Sequence, residues 1–207
     1  LQTDTVKSFQ KGIAALLGGF FSMALYTLNP WNWGVLKRSL QSLKRFSNIL
    51  DAQFWSTTPY RMGSEQQAVK YSVKPQKLRN TPFPKQPSED FLRWQLVGDL
   101  KQEDAYFDFL VQIQTDPVRM PVEDPTKPWS APYIKVATLH IPQQEFDTVE
   151  QRAYGQSLSF TPWHCLAIHQ PIGGANRARK KVYEELSAFR ISRSGLQAKE
   201  PTDLTIS

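Results

Sequence analysis

The sequence predicts an α+β fold: a small set of antiparallel strands with helices before, between and after them. Two segments alternate apolar and polar residues with period two, the mark of a strand with one buried face. In Ala68 to Lys74, Val69, Tyr71 and Val73 face one way and Lys70, Ser72 and Lys74 the other. In Phe107 to Thr115, Phe107, Phe109, Val111 and Ile113 share a face. Tyr133 to Ile141 is more evenly apolar, as expected of a strand covered on both sides. A short fourth strand is expected near Gln53 to Thr57.

The chain opens with Gly12 to Leu28, seventeen residues without charge that follow Lys7 and Lys11. That length is at the lower limit for crossing a bilayer. Gly18, Gly19, Ser22 and Thr27 dilute its hydrophobicity. A buried or surface-docked helix is the favoured reading, with a membrane anchor and a signal-peptide-like segment as alternatives. Asn29-Pro30 breaks that helix, and Leu36, Leu40, Leu43 and Leu50 recur at helical spacing in a second one from Trp33 to Leu50. Pro75 to Pro87 is a Pro-rich connector, and Ser88 to Gly98 reads as a short helix. Asp147 as N-cap with Glu150 three residues on predicts another helix to Tyr154. The expected organisation is a helical region over 1–50, a main domain over 51–193 and a flexible tail over 194–207. So few strands leave two sheet edges, covered either by helices or by strands outside this sequence; the second is favoured.

At 207 residues the chain can bury a sizeable core, and 40% apolar residues with 12 Phe and 6 Trp argue for a folded domain. Cys165 is the one cysteine, which excludes an intrachain disulfide and a Cys-rich zinc site and fits a reducing compartment. The expected location is the cytoplasm, with membrane association through Gly12 to Leu28 as the alternative. A net charge of +6 without a reading motif argues against a nucleic-acid partner. No phosphate-binding glycine loop, Gly-x-Ser-x-Gly elbow or His-Glu-x-x-His motif occurs. The acidic pairs Glu123-Asp124 and Glu184-Glu185 read as solvated.

Arg179, Tyr183 and Arg190 carry the chemistry. Their offsets of four and eleven fall within roughly 40° on a helix, so a phenol shares one face with two guanidiniums. A neighbouring cation favours a phenolate, and a phenolate ligates haem iron in catalase. A second guanidinium suits a carboxylate such as a haem propionate. The competing reading is a charged, solvated helix face.

The order of segments around this helix resembles the C-terminal part of the catalase-like haem proteins of the small bacterial type. The resemblance runs through Phe54-Trp-Ser-Thr-Thr-Pro-Tyr-Arg-Met-Gly63, Ala68 to Pro75, Phe107 to Pro117 and Met120 to Pro125. It continues through Val136-Ala-Thr-Leu-His-Ile-Pro142, Leu158-Ser-Phe-Thr-Pro-Trp-His164 and Pro171-Ile-Gly-Gly-Ala-Asn-Arg177, and covers roughly residues 50 to 192. It implies that the strands are part of a catalase-type β-barrel and that the last helix is the proximal haem helix. The family's Arg-x-x-x-Tyr pattern, with an arginine seven residues beyond, falls on Arg179, Tyr183 and Arg190. The implied cofactor is haem b, with Tyr183 as the proximal iron ligand, and the implied substrate is hydrogen peroxide. Where larger catalases carry a histidine four residues after the tyrosine, this chain has Ser187.

The family's distal histidine and asparagine lie upstream of the matched region, and neither segment occurs here. His140, His164 and His169 belong to downstream motifs and read as structural. Loss of a general acid–base group typically costs about 10²–10⁴-fold, so the expectation is a chain inactive or weakly peroxidatic alone. Its expected partners are the missing N-terminal half or a second copy. Two alternatives stay open: a haem enzyme converting fatty-acid hydroperoxides, like allene oxide synthase, and a non-catalytic, membrane-associated remnant.

Overall fold

The computed structural model describes residues 18–19, 27–30, 33, 37, 45–63, 67–124 and 127–199. Most of Gly12 to Leu28, most of the helix expected from Trp33, and residues 200–207 of the expected tail lie outside the described residues. The chain divides into a unit over Leu1–Phe46 and one over Ser47–Ser207. In the first, Trp33 and Lys37 are helical, and the Trp33 indole donates to the Thr27 carbonyl at 2.8 Å. No helix among the described residues is long and apolar enough to cross a membrane.

The second unit is built on β1 (Phe54–Trp55), β2 (Tyr60–Met62), β3 (Gln67–Pro75), β4 (Ala105–Ile113) and β5 (Tyr133–Ile141). Around them lie α1 (Phe91–Gln102), α2 (Val149–Ser157) and α3 (Gly174–Ser194). All strand pairs are antiparallel. The path runs β1–β3–β4–β5, with β2 sharing the β1 edge of β3. Thus the two alternating segments and the apolar run are the three long strands, the second beginning and ending two residues earlier than Phe107 to Thr115, and the short one near Gln53 is β1. The added strand β2 was not legible, because three residues are too few to show a period.

Each face of the sheet holds a separate small core. Leu50, Leu100, Ala105 and Phe107 form one, with Val73, Leu96, Ile141 and Phe146 against it. Ala68, Met120 and Trp129 form the other, with Val122, Ala131 and Ile172 packed on them. Two polar positions of β3 and β4 are covered, one by the β1 segment and one by the second core. Ser72 is buried and hydrogen-bonded to the Phe54 carbonyl at 2.8 Å. Gln112 is buried and donates to the Trp129 and Ala131 carbonyls at 3.1 and 2.7 Å.

Four expectations need correction. Residues 45–48 are not helical; Asn48 instead caps a separate 3₁₀ turn over Ile49–Asp51, its Oδ1 accepting from Leu50 N–H at 2.9 Å. Asn48 is fully buried, and its amide donates to Asp99 at 2.6 Å, so the side chain that ends the helix pattern also ties the turn to α1. Helix α1 begins and ends later than Ser88 to Gly98, because Gly98 lies inside it and the chain turns extended only at Glu103. For α2 the cap is Thr148 with Gln151, one residue beyond Asp147 and Glu150, in a reciprocal box at 3.2 Å each way.

The fourth correction concerns β5, which is exposed along nearly its whole length rather than covered on both sides. Its even apolarity does not translate into burial because β5 is the last strand of the sheet, and α1 packs beyond its end through Leu96 and Leu100. Val136 is an extra residue opposite the Phe109–Leu110 step, since Ala137 pairs with Phe109 and Lys135 with Leu110.

Candidate functional site

Helix α3 is positioned by its N-terminal approach. Residues Gln170 to Ile172 run beside β2: Arg61 N–H donates to the Gln170 carbonyl at 2.8 Å and Ile172 N–H to the Pro59 carbonyl at 3.1 Å. Gly173 then turns the chain into the helix with φ 90° and ψ 161°. A side chain there would meet Val122, whose Cγ1 lies 3.1 Å from the place of a Cβ. Glycine has no side chain to cap the helix, and the cap comes from elsewhere. Glu123 accepts from Gly174 N–H at 2.7 Å and lies 3.6 Å from the Arg177 guanidinium. A carboxylate suits the positive end of a helix. Glu123 is therefore engaged rather than merely solvated, which corrects the reading of Glu123-Asp124 as a solvated pair. Glu184 and Glu185 are exposed.

Three turns of α3 bring the singled-out residues to one side. Arg179 and Tyr183 are half-buried and in contact: Nη2 of the guanidinium donates to the phenol oxygen at 3.0 Å. Tyr183 and Arg190 line one cavity of about 380 Å³ together with Phe160, Val182, Leu186 and Ser187. The Arg190 guanidinium donates to the Leu158 carbonyl. Ser187 hydrogen-bonds Ser159 at 3.0 Å, so the segment Leu158 to His164 is laced to the helix at two points. Phe160 is 72% exposed, Leu186 61% and Val182 52%, so the cavity has an apolar wall that is open to solvent.

Behind the pair lies a buried polar group that pattern reasoning did not single out. Arg179 Nη1 donates to Thr58 Oγ1 at 2.8 Å, and Thr58 donates to Asn176 Oδ1 at 2.9 Å. Thr58 lies in the Phe54 to Gly63 segment and Asn176 in the Pro171 to Arg177 segment, 118 positions apart, and no period or spacing links them. Beside them burial pushes the Tyr60 phenol above its usual range, against the pull of the Arg179 guanidinium. Tyr60 packs on Tyr71 at 5.3 Å, and Tyr71 on Phe109 at 5.4 Å.

The three histidines fall on different segments. His140 is on β5, its Nε2 2.8 Å from Asp104 and its ring stacked on Tyr106 at 4.6 Å. His169 belongs to a 3₁₀ turn over Ala167–His169, and His164 is exposed. Among the described residues no group of three or more His, Cys, Asp or Glu could hold a metal ion. Tyr183, whose phenol oxygen accepts from Arg179, is among the residues that line the cavity.

No protein-family model matches the chain, and no curated protein matches it by sequence. Solved structures do. Catalase A from Saccharomyces cerevisiae superposes with a TM-score of 0.56 and 16% identity over 70% of this chain and 33% of its own. A fungal catalase solved at 1.9 Å gives 0.53 and 18% over 72% of this chain and 32% of its own. The chain thus spans about a third of the length of these catalases, and what it shares with them is the fold: an antiparallel sheet with helices, in a catalase-like arrangement.

Proposed function

We propose that this chain is the proximal, haem-holding part of a catalase-like protein that acts on hydrogen peroxide. The observation that carries the reading is the Arg179 hydrogen bond to the oxygen of Tyr183, a residue that lines an apolar cavity together with Arg190. The donor set fits haem b. Tyr183 would ligate ferric iron through its phenol oxygen, Arg179 would steady that oxygen through its hydrogen bond, and Arg190 would offer a guanidinium to a propionate. Phe160, Val182 and Leu186 would offer apolar area to the macrocycle.

Haem, when bound, supplies the redox chemistry of peroxide breakdown. The chain's own residues hold, orient and charge-compensate it from one side. The proton shuttle on the peroxide side belongs, in this reading, to another segment. In this reading the strands are part of a catalase-type barrel, and the exposed apolar face of β5 is where the remainder of it would pack.

The test is a ferric haem titration of the purified chain beside Tyr183→Phe. Stoichiometric uptake with a high-spin, phenolate-type visible spectrum is expected for the natural sequence and is lost in the variant. Equal uptake and equal spectra in both would refute the assignment of Tyr183. Vigorous peroxide dismutation by this chain alone would refute the view that it supplies only the proximal side.

A further inference from the structure

We infer that Thr58 and Asn176 are positioning residues that lock the Arg179 guanidinium onto the Tyr183 oxygen. The inference deepens the proximal-haem reading and rests on it for its purpose, though not for its geometry.

Thr58 is 4% exposed and Asn176 1%, so neither can turn to water for a partner. Each polar atom is accounted for within the protein. Both Asn176 amide protons go to main-chain carbonyls, Pro59 and Ile172, at 2.8 Å each. That fixes the amide: its oxygen, not its nitrogen, must face Thr58 and Arg179. A carbonyl oxygen aimed there accepts the Thr58 hydroxyl proton at 2.9 Å and stands 3.4 Å from Arg179 Nη1. The Ser56 carbonyl is the other acceptor within reach of that proton, at the longer distance of 3.3 Å. With the proton directed to one of these two oxygens, Thr58 Oγ1 presents lone pairs to Nη1 at 2.8 Å. The guanidinium is planar, so holding Nη1 sets the direction of Nη2, which donates to Tyr183.

The Thr58 hydroxyl is itself held by a tight corner. Ser56 exchanges main-chain contacts with Tyr71 of β3, its N–H donating to the Tyr71 carbonyl at 2.9 Å while its Oγ accepts from Tyr71 N–H at 3.1 Å. Thr57 adopts φ 63°, a left-handed conformation that a β-branched residue rarely takes. Strain of that kind persists only where the surroundings over-determine it, and it collects at functional sites. Here it turns Thr58 inward beneath α3. A guanidinium that merely decorated a solvated helix would need no buried threonine and asparagine from two distant segments.

The experiment uses the full 207-residue chain, labelled with ¹⁵N and free of haem, with the Arg179 side-chain resonances assigned by their loss in Arg179→Lys. A locked guanidinium gives resolved, slowly exchanging Nη protons. Thr58→Val, which keeps the shape and removes the hydroxyl, is expected to merge or broaden them, and Thr58→Ser to restore them. Thr58→Ala serves the same purpose if the valine variant does not fold. In a parallel ferric haem titration the dissociation constant rises roughly tenfold in Thr58→Val and recovers in Thr58→Ser, as for one lost charge-assisted hydrogen bond. Folded Thr58→Val or Thr58→Ala protein with unchanged Arg179 resonances would overturn the inference. Resonances that respond in a chain that takes up no haem would uphold the lock and sink the haem reading instead.

Discussion

Replacing Gly173 by alanine tests whether the entry to α3 is set by backbone conformation. At φ 90° and ψ 161° the residue occupies a region that is nearly glycine-only, and an L side chain there costs about 1–3 kcal/mol. A new Cβ would also lie 3.1 Å from Val122 Cγ1 and 3.2 Å from the Val122 carbonyl oxygen. Crowding of that kind adds roughly 1–3 kcal/mol, for a total of about 2–6 kcal/mol. Against the ~5–15 kcal/mol typical of a domain, this is a large fraction. Gly195 is the matched control. It ends α3 in the left-handed region at φ 68°, with nothing within 4 Å of an added Cβ, so Gly195→Ala loses only about 1–2 kcal/mol. Urea unfolding followed by circular dichroism should give Gly173→Ala the larger drop in midpoint, with slopes unchanged. A midpoint for Gly173→Ala equal to or above that of Gly195→Ala would refute the reasoning.

Three further outcomes are expected. Glu123→Gln keeps an acceptor for Gly174 N–H but removes the charge at the helix start, losing about 0.5 kcal/mol, and Glu123→Ala about 1 kcal/mol, by the same urea assay. Asp104 is held below the usual carboxylate range, first by the Gln143 backbone N–H and then by His140 and Tyr106. Its contribution is present above the ordinary carboxyl pKa of about 3.9 and is lost as pH falls through the depressed folded value. Urea midpoints measured from about pH 5 to pH 2 should fall less in Asp104→Asn than in the natural chain. Tyr60 has the opposite sign, because burial raises it: stability is fully present below about pH 10 and is lost as pH rises through the folded value. Tyr60→Phe should flatten the alkaline end of the same curve.

By itself the sequence determined the three long strands to within two residues, because the alternation in residues 68–74 and 107–115 and the apolar run 133–141 are local properties. It also put Arg179, Tyr183 and Arg190 on one side of α3, since helical geometry converts spacing into direction. Long-range choices were not legible in this way. The even apolarity of β5 says that its side chains are suited to burial, but only strand order decides that β5 stands at an edge. The acidic pair at Glu123 looks solvated until α3 presents an N-terminus without a cap of its own. Thr58 and Asn176 each look ordinary in their segments. Their partnership arises because the corner after β1 and the first turn of α3 meet in a place without water, where every donor must find an acceptor. Periodicity records which face of an element is apolar; what that face meets is decided by packing, and packing is tertiary.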